Sequence, residues 1–188
     1  MFVAAEIASS VTQELARVTG EMRQRVESLA PRAKVTWIPP ERMHLTVLFI
    51  GEVDDDRAAA IREALTPPLR VAAFDLTVTG IGTFPARGTP RVIWAGVGNG
   101  REALIGVERE ISARLHQVGA PRFNPHLTLA RVRDAAGLRT RDLLAGATST
   151  AYGTARVEAI TLFESRLSPK GPTYVPLQST RLRSRVAT

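Results

Sequence analysis

Two short stretches of this chain carry a histidine and a threonine in the same setting. The first reads Met43-His44-Leu45-Thr46-Val47-Leu48-Phe49, the second Pro125-His126-Leu127-Thr128-Leu129-Ala130-Arg131. The chain has 3 histidines, and two of them share this pattern. Both stretches are made of strand-forming residues, and in a strand residues i and i+2 project from one face. His44 would stand beside Thr46 and His126 beside Thr128, with Leu45, Val47, Leu127 and Leu129 turned into a core. One His-x-Thr carries no signal, because a lone histidine on a strand is ordinarily structural. Two copies with matching apolar neighbours point to a pocket where two imidazoles and two hydroxyls face one anionic group. Histidine can give or take a proton near neutrality, so two on opposite sides of a phosphate supply both acid and base without a metal.

The remaining chemistry-bearing features are weaker. Cysteine is absent, which excludes disulfides, thiol catalysis and cysteine-ligated metal. His116 falls at the edge of an apolar helical stripe and reads as structural. Asp54-Asp55-Asp56 crowds negative charge where a helix starts, and capping accounts for it better than a metal does. The glycines of the 80–90 loop lack the strand-to-helix setting of a phosphate cradle. Two histidines with no nearby His-x-His or paired carboxylates make a poor ligand set, so neither metal nor cofactor is expected. Net charge is +7, and of 25 basic residues only Lys34 and Lys170 are lysine. Arginine suits bidentate phosphate contacts. Its excess fits a polyanionic partner, and fits a bias in gene composition as well.

These stretches must be carried by a chain of 188 residues with 44% apolar content, enough for one domain or two small lobes sharing a core. No apolar run reaches the length of a membrane span. The start, Met1 to Ile7, lacks a basic n-region and carries a glutamate early, so no secretory signal and a cytoplasmic location are expected; a monomer with no obligate protein partner is expected as well. Strands are expected over 2–7, Lys34–Ile38, the first motif to Ile50, 71–79, Arg91–Val97, 126–132, Tyr152–Ser165 and Tyr174–Leu182. One helix should run from a serine cap at Ser9 or Ser10 to about Leu29. Its stripe is Val11, Leu15, Val18, Met22, Val26 and Leu29, with Arg17, Arg23 and Arg25 on a solvated face. Further helices are expected from the acidic triplet to Leu65, from Asn99 or Gly100 to Val118, and around 137–146. Pro39-Pro40 reads as an extended turn, Ser165–Tyr174 as a basic one, and Arg181, Arg183 and Arg185 as a solvated edge. Strands and helices intermix without strict βαβ alternation, which predicts an α+β protein with antiparallel or mixed sheets and helices outside.

The wider wording carries a resemblance. Trp37-Ile38-Pro39-Pro40 leads into His44-Leu45-Thr46, followed by Phe49-Ile50-Gly51; Arg122-Phe123-x-Pro125 leads into the second motif; Phe163-x-Ser165-x-Leu167 is followed by Gly171-x-x-Tyr174. Almost end to end this resembles the two-histidine (2H) phosphoesterase superfamily, and within it the RNA 2',3'-cyclic phosphodiesterases once described as 2'-5' RNA ligases. The resemblance implies one bilobal catalytic domain over 1–188. Two sheets would line a central cleft, with one His-x-Thr from each lobe. It implies metal-independent hydrolysis of cyclic phosphate ends of RNA or nucleotides to 2'-phosphates. His44 would be the general acid toward the 3'-oxygen and His126 the base on water, although a near-symmetric pair can swap these roles. Thr46 and Thr128 would bind phosphate oxygens, Arg131 would balance developing charge, and Phe49 would stack a base. Other cyclic phosphodiesterases of the superfamily act on ADP-ribose cyclic phosphate or 2'-5' oligonucleotides. A non-catalytic RNA-binding module is the alternative from a different class.

Strand alternation conflicts with part of this. Phe49 and Arg131 each lie five residues after a histidine, an odd offset that turns both away from the imidazoles on an ideal strand. Either the strands bulge after the threonine, or these side chains reach round from the strand ends. Otherwise Phe49 belongs to the core and Arg131 to the surface.

Overall fold

The computed structural model describes residues 1–117, 123–145, 150–169 and 171–184. Strand β1 (Phe2–Ala5) leads into helix α1 (Ser9–Leu29), β2 (Lys34–Trp37), a 3-10 turn at Pro40–Arg42 and β3 (Leu45–Phe49). Next come α2 (Asp55–Leu65), β4 (Leu69–Ala72), β5 (Phe74–Phe84), β6 (Val92–Val97) and α3 (Arg101–Arg114). The order ends with β7 (His126–Asp134), α4 (Thr140–Leu143), β8 (Ala151–Val157), β9 (Ala159–Arg166) and β10 (Thr173–Arg183). The α+β expectation holds, but the two expected sheets are one. Ten strands run in the order β4-β10-β9-β1-β3-β7-β6-β5-β8, with β2 also on β7. Its halves meet at the two motif strands, which lie antiparallel and share a single register pair, Leu45 opposite Leu127. Each half would otherwise end in an open strand edge at its motif, and this pairing closes both. The pairing of β10 with β4 is parallel and makes the sheet mixed.

Local pattern explains most elements. Val11, Leu15, Val18, Met22 and Val26 are buried along α1 as their spacing requires. Leu29 is 52% exposed and leaves the stripe, because the helix ends there. The N-cap is Ala8 rather than a serine, and no side chain caps the helix. Burial of Val11 and Leu15 sets the helical phase, and Ser9 is already inside the first turn. Asp54 does cap α2, accepting a hydrogen bond from the Arg57 N–H at 2.8 Å. Pro39 is extended, but Pro40 starts a tight turn instead of continuing the extension.

Two expected strands are broken where they change partners. The segment over 71–79 divides at Ala73 into β4, which pairs with β10, and β5, which pairs with β6 and β8. Tyr152–Ser165 divides at Glu158, so β8 lies at one edge of the sheet and β9 in the other half. β5 also continues through the turn-rich 80–84 segment to Phe84. Gly82 permits this, since a Cβ there would lie 2.2 Å from the Trp94 ring on the paired strand. α3 stops at Arg114, short of Val118, and α4 is shorter than expected. Val118, Gly119, Arg122, Lys170 and Arg185 lie outside the described residues. The helices tie the halves together: α1 packs on β8, while α3 packs on β3 and β4 with α2 beside it. One buried cluster accordingly runs from Val3 and Leu45 to Leu127 and Ala155.

Candidate active site

The Leu45–Leu127 pair centres the site. Extending its antiparallel register by one residue each way sets His44 across from Thr128 and Thr46 across from His126. All four line one cleft of about 830 Å³. Each motif strand then carries a bulge at the same place. Against β1, Ala4 pairs with Thr46 and Val3 with Leu48, so Val47 is the extra residue. Against β6, Trp94 pairs with Thr128 and Ile93 with Ala130, so Leu129 is extra. Val47 and Leu129 each follow their histidine by three positions. Alternation resets there, and two successive residues, Val47-Leu48 and Leu129-Ala130, are buried. The parity conflict resolves in favour of the bulge. Arg131 returns to the face of His126 and lines the cleft with Arg133. Phe49 pairs with Phe2, whose ring lies against His44, so Phe49 belongs to the His44 face. It is 70% exposed and stands outside the cleft lining, not in the core.

The two histidines are held alike. His44 Nδ1 donates to the Arg42 carbonyl at 2.8 Å and His126 Nδ1 donates to the Asn124 carbonyl at 2.7 Å. A carbonyl can only accept, so both rings carry the proton on Nδ1, and Nε2 is left for chemistry. The tight turn at Pro40–Arg42 brings the first of these carbonyls into place. Aromatic rings fix each imidazole from the side. Phe2 and Tyr174 flank His44, both at 4.9 Å between centroids, and Phe84 and Trp94 flank His126 at 5.1 and 6.2 Å. The sequence reading gave none of these four rings a place beside the imidazoles, because they come from strands distant in the chain. The Thr46 and Thr128 hydroxyls have no partner among the described residues and are free to bind a ligand.

Electrostatics separates the halves. Burial holds His44 below the ordinary histidine value; the Arg42 carbonyl pulls it up, and the positive charge of Arg131 pushes it down again. Arg23, Arg42, Arg131 and Arg133 line the cleft without an aspartate or glutamate among its lining residues. Arg23, expected on a solvated face, is exposed but on this wall; the spacing Ala16-x-x-Thr19-Gly20-x-x-Arg23 is the signal that could have placed it. His116 is exposed in the turn after α3 and takes no part in the cleft. Among the described residues no three His, Cys, Asp or Glu side chains are grouped to hold a metal ion, and no helix is long and apolar enough to cross a membrane. The arrangement provides two oriented imidazoles, two hydroxyls and an arginine lining one cleft.

Comparison with known proteins places the chain in a family. A family model described as the 2'-5' RNA ligase superfamily matches residues 13–168. An RNA 2',3'-cyclic phosphodiesterase of Archaeoglobus fulgidus is 31% identical over 181 residues, covering 95% of this chain and 97% of that protein. Another of the same description, from Aeropyrum pernix, is 35% identical over 152 residues, covering 78% of this chain and 86% of its own length. Among solved structures, E. coli LigT complexed with NADP+ matches with a TM-score of 0.74 at 23% identity, covering 96% of each chain, a likeness of fold.

Proposed function

This chain belongs to the 2'-5' RNA ligase superfamily, and from that premise we propose that it is an RNA 2',3'-cyclic phosphodiesterase acting without metal. It works as one bilobal unit over 1–188, one motif in each lobe. The observation that carries this reading is the matched pair of imidazoles, each with Nδ1 tied to a carbonyl two residues back and Nε2 left free. A cyclic phosphodiester is opened by water entering in line with the departing oxygen. His126 takes the proton from water as its oxygen bonds to phosphorus. The bond from phosphorus to the 3'-oxygen breaks, and His44 gives that oxygen a proton. A 2'-phosphate and a free 3'-hydroxyl result. Thr46 and Thr128 donate to the non-bridging oxygens, and Arg131 offsets the charge that builds on them. Phe49, exposed beside the His44 face, stacks the terminal base.

Burial and Arg131 favour the neutral form of His44. The incoming phosphodiester anion opposes Arg131 and favours the protonated form that an acid requires. The same depression suits the exchanged assignment, with His44 as base, and a changed leaving group separates the two. A substrate with sulfur in place of the 3'-oxygen releases a thiolate that needs no proton. With His44 as acid, His44→Ala loses much less rate on this substrate than on its oxygen counterpart, and His126→Ala loses equally on both. The overall reading is tested with an RNA oligonucleotide ending in a 2',3'-cyclic phosphate, in excess chelator. A 2'-phosphate product at an undiminished rate supports it; loss of rate that a divalent ion restores would sink the metal-free mechanism.

A further inference from the structure

The cleft continues past the two motifs along α1. Ala16, Thr19, Gly20 and Arg23 recur at spacings of three and four, which makes them one stripe of the helix, and all four line the cleft together with Thr36 and Trp37 of β2. Gly20 stands within a 21-residue helix, where glycine is costly relative to alanine. A Cβ at that position would meet nothing within 4 Å, so no packing neighbour demands a glycine. What a side chain there would enter is the cleft. The cation content is as pointed. Arg17, just off this stripe, is held between Glu14 and Glu21. Arg23 and Arg133 have no carboxylate partner among the described residues. The Arg23 guanidinium lies 5.8 Å from the centroid of the Trp37 ring, and that indole is half-buried. An aromatic face interleaved with unpaired arginines, in a groove lined by no acid, is how proteins hold single-stranded nucleic acid.

We propose that this extension is a second nucleotide subsite, which grips the RNA strand leading into the cyclic phosphate end. The penultimate base stacks on Trp37, and Arg23 and Arg133 pair with the phosphate linking the last two nucleotides. The proposal rests on the RNA 2',3'-cyclic phosphodiesterase reading of the motif site. In the free protein Arg23 covers the indole by a loose cation–π contact. When a strand enters, the base takes that place and the guanidinium turns to the phosphate. Gly20 leaves the room this exchange needs. A site meant only for a mononucleoside cyclic phosphate would use none of these features.

The test compares a mononucleoside 2',3'-cyclic phosphate with a trinucleotide ending in the same group. It measures kcat/KM across a range of salt, and tryptophan quenching by each ligand in the inactive variant His44→Ala/His126→Ala. The trinucleotide should be preferred by about tenfold, within the range for one base on one aromatic side chain. Trp37→Ala and Gly20→Leu should bring the ratio of the two kcat/KM values toward one. Arg23→Ala should flatten the dependence of log kcat/KM on log salt by about 0.7, the value for one phosphate contact on a single strand. Because Trp94 also lies beside His126, the readout is the part of the quenching that Trp37→Ala removes, which should be large with the trinucleotide and near zero with the mononucleoside ligand. Equal efficiency on both ligands with no quenching that depends on Trp37 overturns the subsite and leaves the phosphodiesterase reading intact, as does a trinucleotide preference that survives Trp37→Ala. If neither ligand is hydrolysed, the phosphodiesterase reading fails, and the quenching still decides whether Trp37 holds a strand.

Discussion

The strands β3 and β7 put the same backbone device to unequal use. Each has a histidine at or just before its first residue, with Nδ1 tied to a carbonyl two residues earlier, and bulges three residues after the histidine. Beyond the bulge they part company. β3 carries Phe49, an exposed ring outside the cleft lining, and β7 carries Arg131, a cation within it. Arg131 acts on the histidine of the other half, His44. The repeated part concerns orientation, which acid and base need equally. The differing part concerns charge, which Arg131 brings to a position where β3 has an aromatic ring. Backbone symmetry therefore does not make the two halves interchangeable.

If both imidazoles transfer protons, removing either should be the largest effect. We expect His44→Ala and His126→Ala each to lower kcat by about 10²–10⁴, and the double variant to lose little more than the worse single one, because the pair acts as a unit. His116→Ala should change the rate by no more than about twofold, as an exposed residue outside the cleft. A rate loss with His116→Ala matching either motif variant, in folded protein, would break the comparison at its root.

Next in size is the cation that follows the bulge in β7 and has no counterpart at that position in β3. Arg131→Ala should lower kcat by at least about tenfold, and Arg131→Lys should recover only part, since an ammonium lacks the planar fork. The same substitution sharpens the link between halves. A nearby positive charge disfavours protonation, so its removal should raise the pKa of His44. In an NMR titration the His44 ring should titrate below the usual value of about 6.5 in the wild type and at higher pH in Arg131→Ala. No movement of the His44 titration would mean that Arg131 serves the phosphate alone.

The smallest effect belongs to the equivalent position in β3. Phe49 is 70% exposed, so Phe49→Ala should change stability by no more than about 0.5 kcal/mol. If it stacks a terminal base, KM should rise by about fivefold with kcat nearly unchanged. A fall in kcat comparable with that of Arg131→Ala would show the two positions to be equivalent after all.

Much of this site is local in the sequence. The His-x-Thr doublets, their apolar partners, the α1 stripe and the acidic cap at Asp54 follow from periods of 2 and 3.6 residues and from capping chemistry. These depend on a few neighbours along the chain. Even the bulges leave a trace, the apolar doublets Val47-Leu48 and Leu129-Ala130. Whether such a doublet becomes a bulge is decided by the partner strand, because an extra residue exists only relative to a register. Strict alternation therefore turned Phe49 and Arg131 away, and pairing with β1 and β6 turned them back. Tertiary structure alone decided the rest: that β3 and β7 join the halves into one sheet, that Phe2, Phe84, Trp94 and Tyr174 clamp the imidazoles, and that Arg23 and Trp37 share a wall. Each depends on which elements meet across long stretches of chain. That choice is made by burying the whole apolar surface at once, and no window of neighbouring residues contains it.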